Sequence, residues 1–183
     1  MITDGFGESK TPGRIEPQWY ALYTRSRHEK FVAALLEAKG FSVFLPVKEA
    51  RRQVASVRAR TVCSPLFPGY VFCSFVCTGE TIHRIISTQG VVSIVGTRRV
   101  PVPIPDEQID SIRRVITCRT PCHPGRDYRR GDQVTVKAGP LTGLKGRLIR
   151  YKNERVLVIV VELLKRAVLV DIDQNVLELA RTA

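Results

Sequence analysis

Nothing in this 183-residue chain is long and apolar enough to cross a bilayer. The longest clean apolar run, Val156 to Val161, is far short of the roughly 20 residues a spanning helix needs. The opening MITDGFGESK has neither the basic start nor the apolar middle of a secretory leader, so a cytoplasmic protein with no membrane role is expected. Histidine is scarce: His28, His83 and His123 are the only three. No GxSxG, HExxH, P-loop or GxGxxG motif occurs. Cys122 and His123 are neighbours in sequence, and adjacency gives a nucleophile–base pair no useful geometry. Asp106, Glu107 and Asp110 are better read as helix-start charges than as metal ligands. The expectation is a protein that is not an enzyme, with no catalytic residue, no metal and no cofactor.

Cysteine is present in an odd number, five, in a chain that is not small, which argues against a disulfide framework and for a reducing compartment. Two CxxxC pairs, Cys73/Cys77 and Cys118/Cys122, make a four-ligand zinc site conceivable. However, VFCSFVC reads as a strand with Val71, Cys73, Phe75 and Cys77 on one face, and the cysteines there are better taken as small buried hydrophobes.

What the chain does have is positive charge. Lys and Arg number 29 against 17 Asp and Glu, giving +12. A chain this basic is expected to meet polyanions, nucleic acid first and an anionic membrane second. No basic amphipathic helix supports the membrane reading. The excess is +5 in residues 17–112, +5 in 113–130 and +3 in 131–183, while the first sixteen residues carry −1.

Composition divides the chain into a mobile tail (1–16), a mixed strand–helix domain (17–116), a Pro- and Arg-rich linker (117–130) and a short-strand domain (131–183). In the first domain, Trp19 to Thr24 alternates as a strand. Ser26-Arg27-His28-Glu29 has the form of a capping box. A helix should follow with Phe31, Val32, Leu35 and Leu36 on its apolar face and Gly40 at its end. Phe41 to Val47 reads as a strand, and residues 48–64 as a basic loop or an open hairpin arm. A Pro65–Gly69 turn leads into a strand from Tyr70, a short helix carries Ile82, Ile85 and Ile86, and Val91 to Val95 is a further strand. A helix opened by Pro105 then turns Ile109, Ile112 and Ile116 inward. The second domain shows five short strands and suggests a small closed barrel. The fold class is α+β followed by an all-β barrel.

WYALYTRSRHEK, LFPGYVF, GVVSIVG and PIPDEQI, in that order, resemble the N-terminal (NGN) domain of NusG-type transcription elongation factors. GDQVTVKAGPLTGLKGRL and RVLVIVVELLKRAVLVDID resemble the SH3-like KOW barrel that follows it in that family. The short basic loop and the LFPGYVF/VELLKRAV wording look closest to the specialised UpxY, LoaP and RfaH-like antiterminators. The resemblance implies binding to the clamp helices of bacterial RNA polymerase through Tyr23, Tyr70 and Phe72, with pausing and termination suppressed. It also implies contact with non-template DNA through Arg25, Arg27, His28, His83, Arg84 and Gln89. Arg forks suit phosphates or guanine edges, and His and Gln can read bases. Leu141 matches the barrel-loop residue through which family members touch a small ribosomal subunit protein or termination factor Rho. A monomer is expected. The competing reading is a KOW-containing RNA-binding or ribosome-associated protein with no polymerase role. Only the polymerase reading needs the Tyr23/Tyr70/Phe72 pocket.

Overall fold

A computed structural model of the chain describes residues 16–54, 57–98, 100–126, 132–151, 154–171 and 177–179. The expected tail lies, apart from Glu16, outside the described residues, as do residues 127–131 of the expected linker and barrel start.

The first module is built on a four-stranded sheet. Its strands are β1 (Gln18–Thr24), β2 (Ser42–Phe44), β5 (Tyr70–Phe75) and β6 (Val91–Ile94), in the order β2-β5-β1-β6. All its pairings are antiparallel. Period-two alternation gives the sheet two apolar faces. Tyr20, Leu22, Val71, Cys73 and Phe75 face α1 (Glu29–Ala38) and α2 (Gly79–Ile86), against Val32, Leu36 and Ile85. Ala21 and Phe72 face the other way and share a core with Ile109, Ile112 and Val115 of α3 (Asp106–Thr117). Val115 occupies the inner position expected for Ile116, which is half-buried. The basic arm is a two-stranded hairpin, β3 (Val47–Val54) and β4 (Val57–Pro65), in which Arg52 stands opposite Arg60. A small ladder of β7 (Gly96–Thr97) and β8 (Val100–Pro101) leads to α3.

The second module is a six-stranded antiparallel sheet, one strand more than the sequence suggested. It comprises β9 (Cys122–Arg126), β10 (Asp132–Val136), β11 (Lys145–Tyr151), β12 (Glu154–Val161), β13 (Arg166–Asp171) and β14 (Leu177–Leu179), ordered β14-β10-β11-β12-β13-β9. The extra strand comes from the expected linker: β9 pairs with β13 from Cys122↔Val170 to Arg126↔Arg166. Pro124 sits on this edge strand, where a missing N–H can be tolerated. The tether is therefore fastened at its middle, and Lys48 Nζ of the hairpin donates to the Cys122 carbonyl at 3.4 Å.

Both faces of the β12–β13 ladder are buried. Val156, Val158, Ala167 and Leu169 form one cluster. Leu157, Ile159, Val161, Val168 and Val170 join the cluster that contains Ile109, Ile112 and Phe72. One apolar core thus runs from the first sheet through α3 into the second module. Burial on this scale removes about 25 cal/mol of unfavourable hydration per Å2 of apolar surface. All five cysteines are free. Burial pushes the Cys73 thiol up to about 12, which fits a small hydrophobe better than a metal ligand. Among the described residues, no helix is long and apolar enough to cross a membrane.

Candidate functional site

The first cluster of interest grows from the pairing of β1 with β5. Tyr23 lies directly opposite Tyr70 in the antiparallel register. Directly opposite residues project to the same side, so the two rings meet with centroids 5.5 Å apart and planes tilted by 52°. Tyr23 is 44% exposed, and Tyr70 is half-buried. Phe72 follows Tyr70 on the same face, but the structure corrects its expected role as an exposed contact. Phe72 is 0% exposed. Its ring stacks near Phe44 at 6.1 Å and meets Phe67 edge-on at 5.4 Å. The FPG turn thus tucks Phe67 inward under Phe72 and leaves the tyrosines above.

That turn is held from two sides. Thr24 N–H donates to the Gly69 carbonyl at 2.9 Å, and Gly69 N–H donates to Glu29 Oε1 at 2.7 Å. Gly69 has φ +84°, and a Cβ there would come within 3.4 Å of the Tyr23 ring. That distance is ordinary contact, so it is the left-handed backbone that calls for glycine here. Glu29 is buried at 7% exposure. The expected capping box does not form. His28 is the N-cap of α1 without a side-chain cap bond, and Glu29 is drawn to Gly69 instead of its own helix start.

The second cluster surrounds the start of α1. Arg25 and Arg27 are exposed, and Arg27 has φ +62°, a left-handed conformation that an L residue adopts at a cost of about 1 kcal/mol. His28 Nδ1 lies 2.9 Å from the Ser26 carbonyl. A carbonyl only accepts, so Nδ1 carries the proton and a neutral ring keeps Nε2 as an acceptor. Arg25 N–H donates to the Gly90 carbonyl at 2.9 Å, bringing the exposed Gln89 alongside. Gly90 has φ +93°, and a Cβ there would fall 2.8 Å from Val32 Cγ2 and 3.5 Å from His28 Cβ. The structure therefore brings Arg25 and His28 against the Gln89–Gly90 turn, with exposed Arg27 between them in sequence.

It does not bring Arg84 there. Arg84 Nη2 donates to the Lys39 carbonyl at 3.0 Å, while Lys39 Nζ donates to the Arg84 carbonyl at 3.0 Å and to Thr88 Oγ1 at 2.7 Å. Each cation serves the C-terminal carbonyls of the other's helix, where the helix dipole favours positive charge. The Arg84 guanidinium also lies 5.1 Å over the Phe41 ring. Arg84 is thus a structural clasp at the far end of α1, about 15 Å of helix from Arg25. His83 is exposed on α2, next to that clasp.

Leu141 is also repositioned. It is 4% exposed and belongs to the continuous core. Its loop lies against the end of α3. Arg114 Nη2 donates to the Thr142 carbonyl, and Cys118 Sγ donates to the Pro140 carbonyl at 3.6 Å. Gly139 (φ +84°) and Gly143 (φ +81°) form the corners of the loop.

Sequence reasoning missed several contributors: the inward Phe67, the Glu29–Gly69 bond, the outward Phe31, and Arg113. Arg113 lies 4.7 Å over Trp19 and 5.1 Å over Phe44. The LFPG turn did announce a special backbone. No local pattern announced a carboxylate partner 40 residues away.

An antiparallel sheet covered by helices and bearing a tyrosine pair, joined to an all-β module of short strands, makes a two-module α+β architecture. Residues 17–113 match the family described as "Transcription termination factor nusG", and the chain belongs to the NusG family. It is 29% identical over 146 residues to the transcription termination/antitermination protein NusG of Halalkalibacterium halodurans, covering 73% of this chain and 82% of that protein. It is 26% identical over 174 residues to NusG of Staphylococcus aureus strain Mu50, covering 88% and 94%. These relatives are transcription factors. The fold is similar to a solved structure titled "Domain interaction in Thermotoga maritima NusG", with a TM-score of 0.58, 21% identity, and coverage of 91% of this chain and 98% of that one.

Proposed function

We propose that this chain binds the clamp helices of bacterial RNA polymerase through Tyr23 and Tyr70 and suppresses pausing and termination. The observation that carries this reading is the tyrosine pair itself, with Tyr23 exposed beside the Gly69 turn. Tyrosine offers a broad apolar face with a polar tip, a combination enriched where a partner docks. Two such rings on a rigid sheet form a shallow seat for the apolar stripe of a helix. Phe72 supports the seat from beneath rather than touching the partner.

On the same reading, Arg25, Arg27, His28 and Gln89 contact the exposed non-template strand. Leu141 recruits a ribosomal small-subunit protein or Rho once the 139–142 loop has left the end of α3, because the residue is buried while that loop is docked. The protein acts as a monomer in the cytoplasm. A role on RNA or the ribosome without polymerase would give the tyrosine pair no use.

A pull-down with a peptide hairpin of the clamp helices tests the reading. Tyr70→Ala is expected to weaken capture at least tenfold while leaving the thermal unfolding midpoint within a few degrees. Undiminished capture overturns the polymerase role. Shortened pause lifetimes with the wild-type protein in vitro, absent with Tyr70→Ala, would establish the activity.

A further inference from the structure

We propose that Phe31 is a base-stacking platform, so that the Arg25–His28 face binds unpaired nucleotides rather than duplex. Helical periodicity placed Phe31 on the buried side of α1, and the structure places it outside. Its neighbours Val32 and Leu36 are fully buried, whereas Phe31 is 45% exposed. A single exposed apolar residue is ordinary; the surroundings of this one are not. One turn earlier on the helix, the His28 ring meets the Phe31 ring edge-on, with centroids 6.3 Å apart and planes at 80°. His28 is itself fixed by its bond to the Ser26 carbonyl and by the Gln89–Gly90 turn packed against it. The Phe31 ring is therefore buttressed by His28 while nearly half of the residue stays open to solvent.

The charges around it select the ligand. Arg25, Arg27 and Lys30 are all exposed, and the nearest acid in sequence, Glu29, is buried and bonded to Gly69 N–H. An open aromatic face among cations matches a nucleobase plane joined to phosphates. In a duplex both faces of each base are already stacked, so only unpaired nucleotides can use the ring. Stacking tolerates any base, since every base has a π-face. The neighbouring Gln89 amide and His28 Nε2 can add hydrogen bonds to a base edge. The same chemistry could come from displaced DNA or from nascent RNA.

This inference rests on reading the Arg25–His28 face as a nucleic-acid contact, and the test separates the two. Fluorescence anisotropy would follow the full-length protein binding a labelled ten-nucleotide deoxythymidine strand, the uridine strand of equal length, and a DNA duplex, across a salt series. Phe31→Leu keeps an apolar side chain but removes the ring, and Phe31→Trp restores a ring. Leu is expected to weaken strand binding about tenfold, and Trp to retain it. The salt slope should not change with Leu, because the ring neutralises no phosphate, whereas Arg27→Gln should lower it. Tighter binding of one strand type identifies DNA or RNA as the source, and equal binding shows recognition of the base alone. Wild-type affinity in Phe31→Leu, or duplex binding as tight as strand binding, overturns the proposal. Failure of the underlying reading looks different: a combined Arg25→Gln/Arg27→Gln variant would then leave both affinity and slope unchanged.

Discussion

The carboxylate of Glu29 accepts the backbone N–H of Gly69 at 2.7 Å, tying the first turn of α1 to the turn that presents Tyr70. This bond links the two clusters along the chain, since His28 and Phe31 are close to Glu29 in sequence and Tyr70 follows Gly69 directly. Glu29→Ala leaves the Gly69 N–H unpartnered, which costs about 1–3 kcal/mol. The expected result is a lower urea midpoint together with weaker clamp-helix capture. Glu29→Gln keeps an acceptor and should recover most of both losses. If Glu29→Ala unfolds at the same urea concentration as wild type, the bond contributes nothing.

Arg84→Ala should act on stability and not on nucleic acid. It removes a charged donor from the Lys39 carbonyl and a cation from the Phe41 ring, worth together about 1 kcal/mol at this exposed position. Thermal unfolding should shift down while strand affinity and its salt slope stay at the wild-type values. A lower salt slope would return Arg84 to the nucleic-acid face.

Burial raises the Cys73 thiol from its ordinary value of 9.0 to about 12. Between those values the unfolded chain gives up this proton and the folded chain keeps it, so unfolding is favoured as pH rises. The thiol's contribution to stability is therefore complete below pH 9 and lost progressively towards 12, at about 1.4 kcal/mol per pH unit while the gap lasts. Urea titrations of wild type and Cys73→Ala across this range should show the steeper decline in wild type. Parallel curves would show that Cys73 does not titrate with unfolding.

Arg114→Ala should loosen the 139–142 loop from α3. Cys118, whose thiol donates to the Pro140 carbonyl, is a native reporter of that contact. Its alkylation rate is expected to rise several-fold in the variant, with Cys73 remaining unreactive until the protein unfolds. An unchanged Cys118 rate would mean that the guanidinium does not hold the loop.

Much of the molecule can be read along the chain. Alternation in WYALYT and YVFCSF, left-handed Gly40 and the PIPDEQI helix start depend on neighbours in sequence, and each element forms where those patterns place it. The family signature in LFPGYVF likewise belongs to a contiguous turn and strand. The site was less legible, because its roles depend on contacts between residues remote in sequence. Phe72 and Tyr70 lie on one strand face, yet only the packing of Phe44 and Phe67 makes one a floor and the other a surface. Phe31 and Val32 both satisfy a helical apolar stripe, and the rotation of α1 against the sheet decides which is covered. Glu29 had a local partner available at the helix start, and the tertiary structure offered a better one in Gly69. The sequence by itself determined the elements and their apolar faces, because backbone propensity and side-chain periodicity act over a few residues. Only the tertiary structure decided which rings, cations and carboxylates remain open to a partner, because burial and hydrogen-bond satisfaction are settled by whatever the fold packs against them.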